Sequence, residues 1–503
     1  MNSLPAIPRE RSFRPFTTQP LDLLIIGGGI VGAGIARDAA MRGLRVGLVE
    51  QHDFAFGTSG RSSRLLHGGL RYLAQGRIGL VREASIEKKI IHHIAPHLAE
   101  PLAFVFPTYS NNHDWKLWQL KVGVKIYDLL CGGINLGKST WLNKNETLLH
   151  VPGLTGKNLN GAVRYYDGFT NDARLVLDTL RSAAKSGAAL LNHAKFENAD
   201  FVSGNWEAEV SDKLSLEKHK IRARAVVNAT GPWADGLPHS DVKLRLTKGI
   251  HLVVERNRLP VPDAIVMTDG KRILFVIPWG ERTIVGTTDT DYTGSLDDVR
   301  ANVEDIHYVL QITNQFFPNA KLTEQNVIST WAGLRPLIAD PNGKPSDISR
   351  SHDIKSPEPF WWDVAGGKLT TYRLMAEQAV DQIVKKLSGN FSACRTATES
   401  LLSKSEAEGI SGIAPPQFSR SAVEHFCAEE WALNLDDVMI RRTSWHYYFR
   451  DAAERAEKVA DWMAEILGWS ENEKESQLRL YKNSGNAELL KSSSTSSMAL
   501  SPK

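Results

Sequence analysis

Cysteine is nearly absent from this 503-residue chain: Cys131, Cys394 and Cys427 lie far apart and form no CxxC pair. So few and scattered thiols exclude a disulfide framework and a thiolate zinc site, and they fit a reducing compartment. No uninterrupted apolar stretch of about 18 residues exists, so no transmembrane helix is expected. Net charge is small as well. Lys and Arg number 60 against 57 Asp and Glu, leaving +3, too near neutral to argue for a nucleic-acid partner. There is no internal repeat and no histidine–cysteine cluster with metal spacing, so no metal site is expected. What remains is ordinary globular composition, 42% hydrophobic and 23% charged, long enough for two or three domains and a large core.

Near the N-terminus, Arg9, Arg11 and Arg14 precede an apolar run from Leu21 to Ala36 that imitates a signal peptide. The run carries five glycines and leads into Arg37-Asp38 without an obvious cleavage site, so secretion is not the reading adopted. Residues 1–19 are polar and proline-bearing and are expected to be disordered. Strands are predicted at 21–26, 45–49, 225–228, 250–254, 272–277 and 283–286 from β-branched richness between turn residues, with a helix to about Arg42 after the first. The interval 243–290 therefore reads as an antiparallel region inserted in an α/β framework. Helix returns after Thr370. In 451–469, Ala452, Ala456, Val459, Met463 and Ile466 recur at helical spacing, and Ser470 with Glu473 makes a capping box for a further helix. The low-complexity tail 491–503, from Lys491, is expected to be disordered.

The segment LDLLIIGGGIVGAGIARDAAMRGLRVGLVE places Gly27, Gly29 and Gly32 as GxGxxG between an apolar strand and a helix. The first glycine permits the tight turn, the second lets backbone approach a pyrophosphate, and the third lets helix and strand pack closely. The helix N-terminus offers N–H donors and partial positive charge to phosphates. Glu50 ends the second strand, 23 residues after Gly27, where a carboxylate binds ribose hydroxyls. A dinucleotide site follows, with FAD and NAD both open at this point.

Five further blocks narrow the choice: GTSGRSSRLLHGGLRYL at 57–73, VVNATGPWAD at 226–235, LFVIPWGERTIVGTTDTDY at 274–292, WAGLRPL at 331–337 and VAGGKLTTYR at 364–373. In order and spacing they closely resemble the respiratory FAD-dependent glycerol-3-phosphate dehydrogenases, in the D-amino-acid-oxidase-like group of flavoproteins. The resemblance covers about residues 20–375. It weakens beyond, although AEEWALNLDDVMIRRTSW at 428–445 looks like the family's C-terminal domain, here shorter than usual.

The resemblance implies a Rossmann-like α/β FAD-binding domain with an inserted antiparallel substrate sheet (mainly 243–340) within 20–375, and a helical domain at 376–490. It implies FAD as cofactor, glycerol 3-phosphate as substrate and membrane quinone as electron acceptor. The expected location is cytoplasmic, peripherally bound to the inner membrane, with a homodimer as one assembly. Thr58, Ser59, Ser62 and Ser63 would offer donors near the pyrophosphate and flavin. Thr230-Gly231, after Ala229, would pass close to the nucleotide. Gly366, Gly367, Lys368, Leu369 and Thr370 would open a helix whose N-terminus favours the anionic reduced flavin. Arg71, Arg335 and Arg350 fall on the family's phosphate-binding positions, with Tyr72 beside Arg71. His251 and Lys368 fall near the reacting hydroxyls. His251, Arg335 and Lys368 are thus the candidate catalytic residues. An amino-acid oxidase of the same group would need one cation for a carboxylate and a site for a neutral amine; three arginines and a lysine exceed that need.

Two motifs mislead. GGINLGKS at 132–139 matches the P-loop pattern, but no strand ending in a metal-binding Asp accompanies it. DTDYTG at 289–294 imitates an EF-hand start, yet Arg300 stands where a bidentate Glu is required. A third segment, WKLWQLKVGVKIYDLL at 115–130, sets Lys121, Lys125 and Asp128 on one helical face. Trp115, Trp118, Val122, Ile126 and Leu129 occupy another, a pattern suited either to a bilayer interface or to core packing.

Overall fold

Two sheets divide the computed structural model. It describes residues 9–73, 76–112, 114–131, 135–270, 272–339 and 352–484, with the side chains of Glu10, Arg71 and Ser484 left aside. The first sheet is eight-stranded, and its parallel centre runs in the order Trp361–Gly366, Lys218–Asn228, Leu21–Ile26, Val46–Val49, Ala189–Leu191. Such strands are covered on both faces and read as continuous apolar runs. LDLLII is buried at five of its six positions. The helix Ile30–Met41 covers one face and packs with Asp172–Lys185 and Tyr372–Lys386 in a core of Ala33, Ala36, Ala39, Leu177, Ala376 and their neighbours. A hairpin, Ala194–Val202 with Asn205–Asp212, joins the edge of strand Lys218–Asn228.

The second sheet has ten strands. The predicted antiparallel region is its middle: Leu244–Glu255 lies between Arg282–Gly286 and Val327–Ile338, with Arg272–Trp279 and Ala264–Asp269 beyond. The sheet also recruits Glu100–Tyr109, Thr140–Asn143 and Leu159–Phe169, well outside 243–340. Along Leu244–Glu255 the two-residue period sends Ile250, Leu252 and Val254 into one core and Val253 into another. His251 turns with the latter, onto Trp331.

The predicted disorder at 1–19 fails over its described part. Arg9–Thr17 is helical, with Phe13 and Phe16 only 2% and 1% exposed. Their spacing of three puts both rings on one side of the helix. Phe13 stacks on His219 at 3.8 Å, and a Cβ at Gly47 would meet the Phe16 ring at 2.8 Å, so that glycine makes the seat. The tail 491–503 lies outside the described residues.

Past Lys386 the chain runs irregularly to residue 419, broken only by the short helix Lys404–Ala407, and then becomes helical, with Arg420–Glu429, Ala452–Leu467 and Glu471–Ser484 around a separate small core of Val423, Phe426, Trp445, Val459 and Met463. The capping box forms: Ser470 N–H donates to Glu473 Oε2 at 2.7 Å and Glu473 N–H to Ser470 Oγ at 3.3 Å. This region is locked to the first sheet through Asp53, which receives Arg441 Nε at 2.5 Å and both terminal nitrogens of Arg442 at 2.5 and 2.9 Å.

Candidate active site

The turn after the first strand is built as the glycine spacing requires. Gly27 has φ +109°, a conformation that L side chains rarely adopt. A Cβ on Gly32 would run into the Gly27 carbonyl, so only glycine lets the helix sit this close to the strand. Ser59 Oγ accepts the N–H of Ile30 at 3.0 Å, at the helix N-terminus. Glu50 accepts from Gly28 N–H at 2.7 Å and His52 N–H at 2.8 Å. Burial pushes its carboxyl pKa up, against the lowering by those two N–H groups.

A cavity of about 410 Å³ starts here. Gly27, Gly29, Glu50, Thr58, Ser59, Thr230 and Gly231 line one stretch, and Gly366, Gly367, Lys368 and Leu369 line the far end. The cavity also has walls that sequence reasoning missed: Gln51, the hairpin residues Ala194 to Glu197, and Trp233. The missed hairpin lies some 140 residues from Glu50 along the chain and carries no glycine fingerprint. Its only signal is the strand alternation of Phe196 and its neighbours.

Some expected donors have other duties. Thr58 Oγ1 donates to the Leu334 carbonyl at 2.6 Å, tying this loop to the second sheet. Ser62 does not reach the cavity. Its N–H goes to Asp172 at 2.8 Å and its hydroxyl accepts Arg64 N–H at 2.9 Å, because the chain turns sharply there. Ser63 Oγ lies 2.8 Å from His251 Nε2, so it addresses the histidine. Thr370 is buried and joins the loop instead, accepting His67 N–H at 3.0 Å.

The candidate catalytic residues sit mainly on the second sheet, with Lys368 in the cavity wall. Arg335 pairs with Thr247 across the strands. Its guanidinium donates to Thr287 Oγ1 at 3.1 Å, to the Thr288 carbonyl at 3.2 Å and to Asp289 at 3.1 Å. A Cβ at Gly249 would stand 2.5 Å from Arg335 Nη2, so glycine there leaves the space for this fork. His251 is 2% exposed and stacked on Trp331, with ring centroids 5.0 Å apart. Burial, then Arg335 and Arg64, lower its pKa to about 3. It is therefore neutral near pH 7. Its Nδ1 is buried without a hydrogen-bond partner among the described residues. Lys368 Nζ sits 4.1 Å above the centroid of the buried Tyr72 ring, a cation–π contact that holds the ammonium group. The Arg71 side chain and Arg350 lie outside the described residues.

The decoy motifs have structural employment. The chain after Lys138 and Ser139 enters the strand Thr140–Asn143, where a P-loop would enter a helix. In the EF-hand mimic, Asp289 binds Arg335 and Asp291 binds Arg245 at 2.7 Å. Asp53, His193 and Asp437 converge, but Arg441 and Arg442 already supply the positive charge.

The family model described as FAD dependent oxidoreductase matches residues 22–367, more than half of the chain. The chain belongs to this family of FAD-dependent oxidoreductases. A second model, the C-terminal domain of alpha-glycerophosphate oxidase, matches residues 375–474. Aerobic glycerol-3-phosphate dehydrogenase from Staphylococcus saprophyticus is 34% identical, covering 94% of this chain and 96% of that one. The Staphylococcus aureus enzyme of the same name is 39% identical over 78% of this chain and 73% of its own. Among solved structures, glycerol-3-phosphate dehydrogenase from Bacillus halodurans complexed with FAD superposes with a TM-score of 0.76. It is 30% identical and covers 95% of this chain and 97% of its own. L-α-glycerophosphate oxidase from Mycoplasma pneumoniae with FAD bound, at 18% identity and TM-score 0.60, shares the fold, covering 77% of this chain and 100% of its own.

FAD is the cofactor, and the residues fit it. The Gly27–Gly32 turn with the Ile30 helix N-terminus suits the pyrophosphate, Glu50 the ribose, and the Gly366–Leu369 segment the flavin ring. Leu369–Thr371 is a short helical turn that runs into the helix Tyr372–Lys386. As an FAD-dependent oxidoreductase, the protein thus carries its nucleotide cavity against the first sheet and the candidate catalytic side chains Arg335 and His251 on the second.

Proposed function

We propose that the protein oxidises sn-glycerol 3-phosphate to dihydroxyacetone phosphate and passes the electrons to membrane quinone. The observation that carries this reading is a paired arginine fork and a neutral buried histidine on two neighbouring strands, with Arg335 next to Pro336 of the cavity wall. Family relatives named for this activity support it. Arg335 is suited to the phosphate, since a planar guanidinium matches oxyanion geometry. Arg71 and Arg350 would complete that grip. Lys368, braced on Tyr72, adds positive charge near the reacting carbon.

When bound, FAD supplies the hydride acceptor for C2 of the substrate. The protein's task is the accompanying hydroxyl proton. His251 takes it at Nε2, because Nδ1 is sealed in the interior; Ser63 presently holds Nε2. Arg335 is one cause of the low His251 pKa. A phosphate dianion on Arg335 would offset that cause, so substrate binding itself strengthens the base.

The quinone half rests on a surface. On the helix Leu117–Leu130, Trp118, Val122, Ile126 and Leu129 are 64, 52, 42 and 72% exposed, while Leu120, Val124 and Tyr127 face the core. Trp141, 55% exposed, lies beside it with Lys121 and Lys125 over its ring at 5.3 and 5.8 Å. An apolar patch rimmed by lysines suits the interface of an anionic bilayer. Oxygen as acceptor is the second reading, favoured by the match of residues 375–474 to a glycerophosphate oxidase domain. The deciding experiment adds glycerol 3-phosphate to the yellow protein without oxygen, then quinone or air. Bleaching followed by faster reoxidation with quinone is expected. Failure to bleach would remove the substrate assignment, and faster reoxidation by air would name an oxidase.

A further inference from the structure

The loop 55–61 has a hollow on each side. One is the nucleotide cavity. Across the loop lies a second, of about 310 Å³, closed by the segment 297–300, the strand residues 330–332 and the C-terminal helical region. Most of its charged groups are matched. Arg441 is held by Asp53, Asp436 and Asp437. Arg300 Nε pairs with Asp298 at 2.5 Å, whereas Asp297 meets His52 at 3.0 Å, a ring that burial keeps uncharged, and its carboxylate stays solvated at the rim.

Arg61 is different. Its guanidinium carbon sits 4.8 Å from the Phe56 ring centroid. The side chain lines the hollow and makes no hydrogen bond or ion pair with a described residue. Asp298 and Asp436 act on it only from beyond ion-pair distance. A partly desolvated guanidinium stays protonated, and leaving its donors without acceptors is costly. His446 lines the same hollow. Its Nδ1 lies 2.8 Å from the Tyr481 hydroxyl, and Nε2 has no partner among the described residues. Burial lowers the His446 pKa to about 4, so the ring is neutral. In the tautomer that carries the ring proton on Nε2, this nitrogen is a second donor.

We propose that this hollow is a second anion site, taking a small organic oxyanion whose phosphate or carboxylate docks on Arg61 with His446 as auxiliary donor. The aromatic walls, Phe56, Trp331 and Tyr447, suit a short carbon skeleton behind the charge. The site is separate from the proposed substrate position. It shares one wall with it: Trp331 stacks on His251 and donates from Nε1 to the Ser62 carbonyl at 3.1 Å.

The test uses FAD-loaded protein carrying Arg335→Ala, which weakens phosphate binding at the substrate position. Inorganic phosphate and succinate are titrated separately by calorimetry. At least one of them should bind with one equivalent, and adding Arg61→Gln should weaken that binding at least about tenfold, as expected for losing a charge-assisted hydrogen bond. The comparison turns on Arg61 alone, so it stands whatever Arg335 does. Phosphate-only or succinate-only binding names the oxyanion. Absence of binding by both probes, or equal binding with and without Arg61→Gln, overturns the proposal. A variant-free measurement stands beside it: phenylglyoxal labelling of Arg61 in the wild-type holoenzyme, mapped by mass spectrometry. The effective anion should protect Arg61 at least about threefold, since its guanidinium would then carry a charge-assisted pair. Unchanged labelling speaks against the site.

Discussion

Arg335 and His251 divide the proposed chemistry between binding and proton transfer, and their substitutions should therefore fail differently. Removing one partner of a buried charge pair costs about 2–5 kcal/mol. Arg335→Ala should thus lower kcat/KM for glycerol 3-phosphate at least about 30-fold. Plain glycerol, a poor substrate, should be hurt much less. His251→Ala should instead depress kcat by roughly 10²–10⁴-fold, the range of a positioned base. Steady-state kinetics on both substrates checks the pair; unchanged kinetics in the Arg335 variant would refute the phosphate assignment. At this scale the glycine turn was legible because GxGxxG is one contiguous, sterically demanding run, with Glu50 closing the next strand. The hydroxyl roles were not. Ser62 and Ser63 are neighbours of one residue type, and only folding decides that one closes a turn while the other meets His251.

The elements carry a harder lesson about glycine. At Gly29 a Cβ would meet, among protein atoms, only the movable Ser59 Oγ, at 3.1 Å, so what it would crowd is the pyrophosphate side of the cavity. Gly32 faces backbone. Gly32→Ala should therefore push helix Ile30–Met41 off its strand and lose flavin, read as the visible flavin absorbance per protein. Gly29→Ala should leave that helix seated and weaken flavin retention only by crowding the pyrophosphate. Retained flavin in Gly32→Ala would contradict the packing. The helix Leu117–Leu130 was predicted from its periodicity, but which apolar stripe faces outward could not be read, since two stripes compete for the core. Val122→Glu with Leu129→Glu should release the protein from anionic vesicles in a sedimentation assay. Flavin bleaching by substrate should be unaffected. Equal vesicle binding would discard this face as the membrane surface. The N-terminal helix escaped prediction because its burial depends on Gly47 and His219, far along the chain.

For the molecule as a whole, the two-sheet plan followed from the order of apolar runs. The extra strands Glu100–Tyr109 and Leu159–Phe169 escaped notice because their partners are remote and their alternation is interrupted by prolines and glycines. Whole-molecule stability should also depend on acid. His251 and His446 have folded pKa values of about 3 and about 4, below the ordinary 6.5. The unfolded chain then binds more protons in that window. Their contribution is complete above about pH 6.5 and is lost as pH falls toward those values. His446→Gln should give a shallower decline of Tm between about pH 7 and pH 5 than the wild type. Equal slopes would contradict the assignment of a neutral buried ring.

Asp53 lies three residues beyond Glu50 on the same short loop. One end of that loop lines the nucleotide cavity through Glu50 and the other is clamped by Arg441 and Arg442. Occupancy and docking are thus reciprocal: whatever free energy FAD lends to the attached helical region, that region must lend back to FAD. Flavin depletion should make residues beyond Lys386 the first to yield to a protease, and FAD should restore resistance in proportion to its saturation. Conversely, Asp53→Ala removes the carboxylate that two buried guanidinium groups share, leaving Arg441 to Asp436 and Asp437 and Arg442 to the Glu430 carbonyl, and should weaken flavin retention though Asp53 itself is no part of the cavity wall. A variant that holds flavin as tightly as the wild type would show the loop to be two independent halves. The appended helices would then be a passenger; the clamp makes them a keeper of the prosthetic group.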